Sequence, residues 1–280
     1  MRTAHSFSLA SAAVFTVIAG CTDASVFGPE LPRPRIDVTP VVPTPVAMAP
    51  VDSTTTATLA APTGSRVTAL SPIPFDGRTS GELAPSGACL QEGSRFGHWE
   101  LRYHGYGCVA IEANATNEAA TDATLFMAPV AALAAGDTHA PLVLGPSHGD
   151  EFTLKASVET VQHTRRGDTP NPWEVAWVVW QYQDDEHFYY FIPKPNGWEL
   201  GKRDPAYPGG QRFLATGTDR VFPIGRVHHV TVQQEGTLLT VAVDGVPLVQ
   251  FRDTERPYRA GRVALYAEDA AVRVHRVAAL

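Results

Sequence analysis

The chain lacks an excess of positive charge, and this absence excludes one class of protein. Its 280 residues include 22 lysines and arginines against 29 aspartates and glutamates, a formal net charge of -7. No Lys/Arg-rich run is present to supply phosphate contacts, so the composition argues against a nucleic-acid-binding protein. No internal repeat at a fixed period occurs, which disfavours a propeller or a solenoid. The hydrophobic fraction of 44% is sufficient for a large core.

An apolar run near the start of the chain is too short to cross a membrane as a stable helix. It extends from about Phe7 to Ile18 and follows Arg2, which is typical of a secretory signal peptide. The run ends in Ile-Ala-Gly-Cys, which resembles the lipobox of bacterial lipoproteins. The resemblance implies that residues 1–21 form the signal region and that Cys21 becomes lipid-modified. An ordinary signal peptide is the alternative, because Ile18 stands where the lipobox usually has Leu. We therefore expect a membrane-anchored lipoprotein of the bacterial cell envelope, facing the periplasm or the exterior.

Two further cysteines, Cys89 and Cys108, are predicted to form a disulfide in an exported protein. The closed loop of roughly 20 residues would stabilise the fold by about 3 kcal/mol in the chain-entropy description. A metal-binding pair is the alternative, but CxxC-type spacing and nearby histidines are absent.

The composition changes sharply at about residue 66. Residues 22–65 are rich in Pro, Thr, Ala and Val without helical or strand periodicity, and we interpret them as an extended, disordered linker. Residues 66–280 contain short β-branched and aromatic runs interrupted by Gly, Pro, Asn and Asp. Roughly a dozen such runs, spaced about 8 to 12 residues apart, predict a single all-β domain, a two-sheet antiparallel jelly-roll sandwich.

The C-terminal part contains a clear hairpin signal and a family resemblance. In TLLTVAVDGVPLVQF, Asp244-Gly245 predicts a two-residue type I′ turn between alternating strands. Together with GRVHHVTVQQEG before it and GRVALYAEDAAVRVHRVAA after it, this segment resembles the C-terminal half of concanavalin A-like jelly rolls. That group includes laminin G-like domains, legume-type lectins, bacterial glucanases and 3-keto-disaccharide hydrolase-type domains. The resemblance covers residues 151–280 and implies two stacked sheets with a ligand cleft on the concave one.

Residues 177–205, WVVWQYQDDEHFYYFIPKPNGWELGKRDP, predict three strands joined by two turns. With residues 184–186 as a three-residue loop, Trp180 pairs with Tyr190 and one face becomes strongly apolar. A two-residue loop would mix polar and apolar residues on both faces, so burial favours the longer loop.

The second turn of this stretch, with its Pro and Asn-Gly, is predicted to pair Lys194 with Trp198. One face is then core, and the other is either an ordinary solvated sheet surface or a glycan-binding patch. Sugar rings stack on aromatic side chains, and sugar hydroxyls form hydrogen bonds with planar polar side chains. The predicted carbohydrate-binding residues are Trp177, Gln181, His187, Tyr189, Glu199 and Arg203.

Enzymatic activity is left open, with no catalytic residue assigned. The Glu-x-Asp-x-x-Glu pattern of glucanases in this fold group is absent, and Glu199 has no acid two positions away, which disfavours that hydrolysis mechanism. A polysaccharide lyase needs groups that neutralise a uronate and move protons, and four residues could supply them: Gln181, His187, Tyr189 and Arg203. A 3-keto-disaccharide hydrolase-type enzyme and a structural envelope protein are further alternatives.

The preferred hypothesis is non-catalytic binding of a glycan or polysaccharide by a monomer. We expect no cofactor, although the loops that contain Asp253 and Glu268-Asp269 leave room for a structural Ca²⁺.

Overall fold

The computed structural model describes residues 70–75, 78–79, 82–83, 87–112, 123–134 and 136–280. The predicted signal peptide, Cys21 and the predicted linker lie outside these residues, so the predicted boundary at residue 66 stays a prediction. The described part of the chain contains no helix that is long and apolar enough to cross a membrane.

The described residues form β-strands and one short 3₁₀ turn, Pro208–Gly210. The strands are β1 (Ser71–Pro72), β2 (Arg78–Thr79), β3 (Glu82–Leu83), β4 (Arg95–Phe96), β5 (Trp99–His104), β6 (Cys108–Glu112), β7 (Thr124–Ala128), β8 (Pro141–His148), β9 (Glu151–His163), β10 (Ala176–Asp184), β11 (His187–Lys194), β12 (Gly197–Arg203), β13 (Gln211–Gly217), β14 (Val227–Glu235), β15 (Leu238–Val243), β16 (Val246–Arg252), β17 (Gly261–Ala267) and β18 (Ala270–Ala279).

The strands make two antiparallel sheets. The eight-stranded sheet has the order β16-β15-β14-β9-β18-β7-β6, with β1 also pairing with β18. The ten-stranded sheet has the order β13-β12-β11-β10-β17-β8-β5-β4-β2-β3. Strands that are distant in sequence become neighbours, as in β9 with β18 and β10 with β17. This topology confirms the predicted all-β, two-sheet antiparallel jelly-roll sandwich.

The main core lies between the sheets and follows from strand alternation. In β9 the alternate residues Phe152, Leu154, Ala156 and Val158 are buried, while the residues between them are more exposed. Successive side chains of a strand point to opposite faces, so this period-2 pattern directs one face of the sheet inward. We call the side of the ten-stranded sheet that faces this core its inner face and the opposite side its outer face.

The outer face of the ten-stranded sheet has an apolar cluster of its own. Its buried members come from β8, β10, β11 and β17 and from the residue before β10: Leu142, Leu144, Val175, Trp177, Val179, Tyr182, Tyr190, Ile192, Ala264 and Tyr266. The middle of this sheet therefore has buried apolar side chains on both faces, whereas antiparallel sheets commonly have one face in contact with water.

The predicted hairpin and the predicted disulfide are confirmed. Val243 pairs with Val246 around Asp244 and Gly245, whose φ angles of 52° and 78° are both positive, as a type I′ turn requires. Cys89 and Cys108 are bonded, with Cα atoms 5.0 Å apart.

The predicted register between β10 and β11 is wrong. Trp180 pairs with Tyr189 rather than Tyr190, and Asp184 pairs with His187 across a two-residue turn. A bulge at Gln181, with a φ of 51°, interrupts the alternation, so Trp180 faces inward and Tyr182 faces outward. The bulge moves Tyr189 to the inner face.

The predicted pairing of Lys194 with Trp198 is also wrong. Lys194 pairs with Gly197 across a two-residue turn, which places Tyr190 opposite Gly201 and Phe188 opposite Arg203. A β-carbon at Gly201 would collide with the Tyr190 hydroxyl, so glycine is what lets this ring lie across β12.

Candidate functional site

A cleft of about 240 Å³ lies on the outer face of the ten-stranded sheet, and we call it the outer cleft. Seven strands, β5, β8, β10, β11, β12, β13 and β17, and the loops beside them contribute its lining. The aromatic residues among these are Tyr103, Trp173, Trp177, Tyr182, Phe188, Phe213 and Tyr266, and the charged ones are Asp185, Lys194, Glu199, Arg203 and Glu268. A largely apolar concavity with a few polar groups is typical of small-molecule and sugar sites.

Trp177 forms the centre of the floor. Its ring centroid lies 4.9 Å from that of Tyr190 and 5.0 Å from that of Tyr266, so a tyrosine supports it on each side. Its Nε1 donates a hydrogen bond of 2.8 Å to the carbonyl of Trp173. With its polar atom bound by the protein, Trp177 presents an apolar, fixed surface to the cleft.

Glu199 is held on one side of this floor. Its Oε1 accepts a hydrogen bond of 3.0 Å from the Tyr190 hydroxyl, and its Oε2 accepts one of 3.0 Å from Nζ of Lys194. The Tyr190 hydroxyl also accepts a hydrogen bond from Gln211. The carboxylate is therefore neutralised and oriented before any ligand binds.

Glu268 is held on the other side and has a different protonation state. Its Oε2 accepts a hydrogen bond of 3.0 Å from the Tyr266 hydroxyl. Burial raises the pKa of Glu268 to about 8, and the nearby carboxylates of Asp269 and Glu174 add to the rise. At neutral pH, Glu268 is therefore predominantly an uncharged carboxylic acid.

A buried ion cluster behind Glu268 fixes this wall. The Arg165 guanidinium donates to Glu174 at 2.6 Å and to Asp269 at 2.8 Å, and its remaining contacts include the carbonyls of Ala134 and Asp137. These bonds connect the loop that carries Trp173 to the turn that carries Glu268. The cleft wall is therefore built by two chain segments that are about 95 residues apart in sequence, a separation that favours a rigid, tertiary site over a local one.

Asp185 lies near the opposite end of the cleft. Its two carboxylate oxygens accept hydrogen bonds of 2.6 Å from the hydroxyls of Tyr103 and Tyr182. Burial and these bonds raise the pKa of both tyrosines, so both remain hydroxyl donors.

Arg203 lies beside Tyr190 and Tyr266 on the same face. Burial raises the pKa of both tyrosines well above the ordinary value, and the positive charge of Arg203 opposes the rise. The guanidinium donates through Nη1 to the carbonyl of Gly209 at 3.0 Å. Its Nε is buried and has no hydrogen-bond partner among the described residues.

The structure brings together three of the six predicted carbohydrate-binding residues. Trp177, Glu199 and Arg203 all line the outer cleft. Their role in binding stays a prediction, but their placement on one face agrees with the sequence analysis.

The other three residues do not share that face, which corrects the predicted patch. Tyr189 is fully buried on the inner face and donates to Asp253 at 2.6 Å. Gln181 is buried at the bulge, where its amide donates to the carbonyl of Gly149 at 2.6 Å. His187 is bound to Asp184 at 2.7 Å, with its ring against that of Tyr258. The bulge and the shorter turn explain all three displacements.

Sequence reasoning missed several residues of the outer cleft. Tyr266 and Glu268 lie far along the chain and reach Trp177 only because β17 pairs with β10, where Tyr266 is the partner of Trp177. The signal that could have indicated them was the Tyr-x-Glu spacing in the final hairpin, which places both side chains on one face of the strand and its turn.

No group of three or more His, Cys, Asp or Glu side chains within the described ranges is arranged to hold a metal ion. The carboxylates considered for Ca²⁺ have protein partners: Asp253 binds Lys202 and Tyr189, and Asp269 binds Arg165. Nothing in these contacts supports a calcium site.

No protein-family model and no curated protein sequence matches the chain. Similar solved structures include the carbohydrate-binding module CBM66 from Bacillus subtilis, with 11% identity, a TM-score of 0.46, and coverage of 65% of this chain and 94% of that chain. Another is a family GH16 protein of a Bacteroides ovatus mixed-linkage glucan locus in complex with its product, with 9% identity, a TM-score of 0.45 and coverage of 70% and 98%. A third is a Bacillus subtilis protein with a galectin-like fold, with 11% identity, a TM-score of 0.44 and coverage of 70% and 96%. At these identities and TM-scores, the similarity assigns no function to this chain.

Proposed function

We propose that the domain binds a glycan non-catalytically in the outer cleft. The observation that supports this most directly is the floor of Trp177, fixed between Tyr190 and Tyr266, with Glu199 and Glu268 held at its two sides. A sugar ring presents C–H groups to an aromatic face and hydroxyls at its rim. The outer cleft offers both complements without rearrangement, and a preorganised site lowers the entropic cost of binding.

The uncharged state of Glu268 adds a feature that suits sugar hydroxyls. A protonated carboxyl both donates and accepts, whereas Glu199 only accepts. The two sides of the floor therefore differ in hydrogen-bonding character, which would orient a sugar in one direction.

A comparison of two exposed apolar residues tests this proposal. Phe213 lines the cleft with 54% of its surface exposed, and Leu133 lies outside it with 70% exposed. Because neither side chain is buried, Phe213→Ala and Leu133→Ala should leave the fold intact. On a glycan array followed by calorimetry, Phe213→Ala should weaken binding about tenfold, a loss of about 1.4 kcal/mol, and Leu133→Ala should not change it. Equal binding by the two variants would place the site elsewhere, and a wild-type protein that binds no glycan would favour the structural envelope role.

A glycan-active enzyme is the second candidate, and the protonation of Glu268 favours it. A general acid in glycoside cleavage has to keep its proton at neutral pH, as Glu268 does. Glu199, which forms an ion pair with Lys194, is a second carboxyl group in the same cleft. Release of reducing sugar, or of unsaturated product absorbing at ~235 nm in the lyase case, would support turnover. Loss of that release in both Glu268→Gln and Glu199→Gln would assign the two groups. Binding without release supports the non-catalytic proposal.

We also propose that the protein is a lipoprotein of the bacterial cell envelope, anchored through Cys21. The lipobox-like Ile-Ala-Gly-Cys supports this, and the following Pro-rich residues would hold the domain away from the membrane. Cys21→Ala should move the protein from the membrane fraction to the soluble fraction, while recovery of the wild type in the soluble fraction would contradict the anchor.

A further inference from the structure

The charges in the outer cleft are unequally matched, and this inference rests on the proposed glycan binding. Lys194 and Glu199 form an ion pair at 3.0 Å and cancel each other. Asp185 is occupied by two tyrosine hydroxyls at its end of the cleft. Burial raises the pKa of Glu268 to about 8, so this residue adds no full charge at neutral pH. The hydroxyls satisfy the oxygens of Asp185 without cancelling its charge. Of the two cations that line the cleft, Lys194 and Arg203, only Lys194 therefore has a carboxylate partner among the described residues.

Arg203 has no carboxylate partner within 4.0 Å among the residues the structure describes, although other arginines of the fold do. Arg165 contacts Glu174 and Asp269, and Arg262 in the same sheet contacts Glu100. Taking a guanidinium partly out of water without a counter-ion has a free-energy cost. Such a cost is tolerated where a ligand supplies the missing charge.

The hydrogen-bond donors of Arg203 are also mostly unused. A guanidinium has five N–H donors, and among the described residues only one bond from this side chain is present, from Nη1 to Gly209. Nε is buried without a partner. The planar fork of an arginine matches two oxygens of a carboxylate or sulfate, and such paired bonds are shorter and stronger than neutral ones.

We propose that the outer cleft selects acidic glycans and that Arg203 binds the carboxylate or sulfate of the sugar. The aromatic floor contacts the sugar ring, and the anionic substituent of the sugar supplies the counter-ion that the Arg203 guanidinium lacks. The neighbouring Glu268 would repel that substituent if it were ionised, so its uncharged form is part of the site.

Matched polymers test this inference. Polygalacturonate and fully methyl-esterified pectin share a backbone and differ in charge, and dextran sulfate and dextran make the same comparison for sulfate. We would measure their binding to the purified protein by calorimetry, with mixed-linkage glucan as an additional neutral glycan. The variants are Arg203→Gln and Arg203→Lys, with Arg259→Gln as the control. Arg259 is an exposed arginine outside the cleft that pairs with Asp150, so its change removes the same charge.

The wild-type protein should bind one acidic polymer at least about tenfold more tightly than its neutral counterpart. Arg203→Gln should abolish this preference, Arg203→Lys should restore part of it, and Arg259→Gln should keep it. The carboxylate and sulfate pairs then identify the anion. Thermal unfolding of each variant separates a lost site from a lost fold, and the lysine variant keeps the test decisive if glutamine destabilises the protein.

Three results would overturn the inference: equal binding of charged and neutral polymers, an unchanged preference in a folded Arg203→Gln, or no binding of any acidic polymer. If a glycan still binds in those cases, the proposed function stands without the assigned role of Arg203. If no glycan binds at all, both proposals are wrong.

Discussion

Two adjacent basic residues of β12, Lys202 and Arg203, point to opposite faces of the same sheet and have opposite surroundings. Lys202 is fully buried on the inner face, where Nζ donates to Asp253 at 2.8 Å and to the carbonyls of Glu255 and Arg256. Arg203 is half-buried on the outer face and has only the carbonyl of Gly209 as an acceptor among the described residues. The first charge is satisfied within the protein, and the second is not.

This difference separates a structural charge from one that is available to a ligand. Asp253 receives hydrogen bonds from both Lys202 and Tyr189, and the Tyr189 hydroxyl in turn accepts one from the backbone of Tyr258. The network fastens the segment after β16 to the ten-stranded sheet. Lys202 uses its N–H donors within the buried network, so none is available to a ligand. Arg203 lies at the cleft with most of its N–H donors unpaired, so it can bind one.

The largest effect should come from removing the inner-face charge. Lys202→Met leaves the Asp253 carboxylate buried without its cation, and we expect a loss of about 3–5 kcal/mol in the free energy of unfolding. The double variant Lys202→Met/Asp253→Asn should recover part of this loss, because no uncompensated charge remains. Urea unfolding measures both. A loss below about 1 kcal/mol for the single variant would mean that the inner charge is not structural.

A smaller, pH-dependent effect should come from Glu268. Its pKa is near 4.5 in the unfolded chain and about 8 in the fold, so between these pH values the folded state retains a proton that the unfolded state releases. The free energy of unfolding should therefore fall as pH rises from 4.5 to 8, by roughly a few kcal/mol. In Glu268→Gln the fall should be shallower. It should not vanish, because burial also raises the pKa of Asp269. Parallel pH profiles for the two proteins would contradict this assignment.

Binding should respond to the same titration. The charged or titratable groups around Glu268 are Tyr266, Asp269, Glu174 and Arg165, with Arg203 across Tyr266. Above pH 8 the ionised Glu268 competes with a ligand anion for Arg203, so affinity for an acidic glycan should fall about tenfold between pH 7 and pH 9. In Glu268→Gln this affinity should be nearly constant over that range. If the affinity of the wild-type protein for an acidic glycan did not change between pH 7 and pH 9, Glu268 would be excluded from the site.

The smallest effect should be that of Arg203 on stability. Arg203→Met removes one hydrogen bond to Gly209 and no ion pair to a described residue, so the free energy of unfolding should change by less than about 1 kcal/mol. Urea unfolding beside Lys202→Met compares the two neighbours directly. A loss as large as that of Lys202→Met would remove the distinction between the two faces.

Features set by local chemistry could be predicted from the sequence. Asp244-Gly245 requires positive φ at both residues, and the pairing of Cys89 with Cys108 follows from an exported chain with two remaining cysteines. The strand pattern predicted the all-β sandwich for the same reason, since alternation is visible within a few residues.

The register of β10 and β11 could not be predicted in this way. Burial selects a register when one face is apolar and the other polar, but here Trp180 and Tyr189 cover the inner face while Trp177 and Tyr190 cover the outer one. Both possible registers of β10 against β11 bury aromatic residues, so the hydrophobic pattern of the sequence does not decide between them. The bulge at Gln181 depends on close packing against the backbone of β17 at Gly261, a contact between residues 80 positions apart.

The outer cleft itself depends on strand order. Trp177, Glu199 and Arg203 could be predicted because they lie within one run of three successive strands, β10 to β12. Glu268 reaches the site through the pairing of β10 with β17, which no local pattern specifies.

The most direct test of a glycan site centred on Trp177 and Arg203 is a crystal structure of the protein with an oligogalacturonate. Our account predicts a sugar ring over Trp177 in the outer cleft, with a carboxylate oxygen about 3 Å from a guanidinium nitrogen of Arg203. A ligand bound on the eight-stranded sheet, or in the outer cleft with its carboxylate directed away from Arg203, would contradict that account.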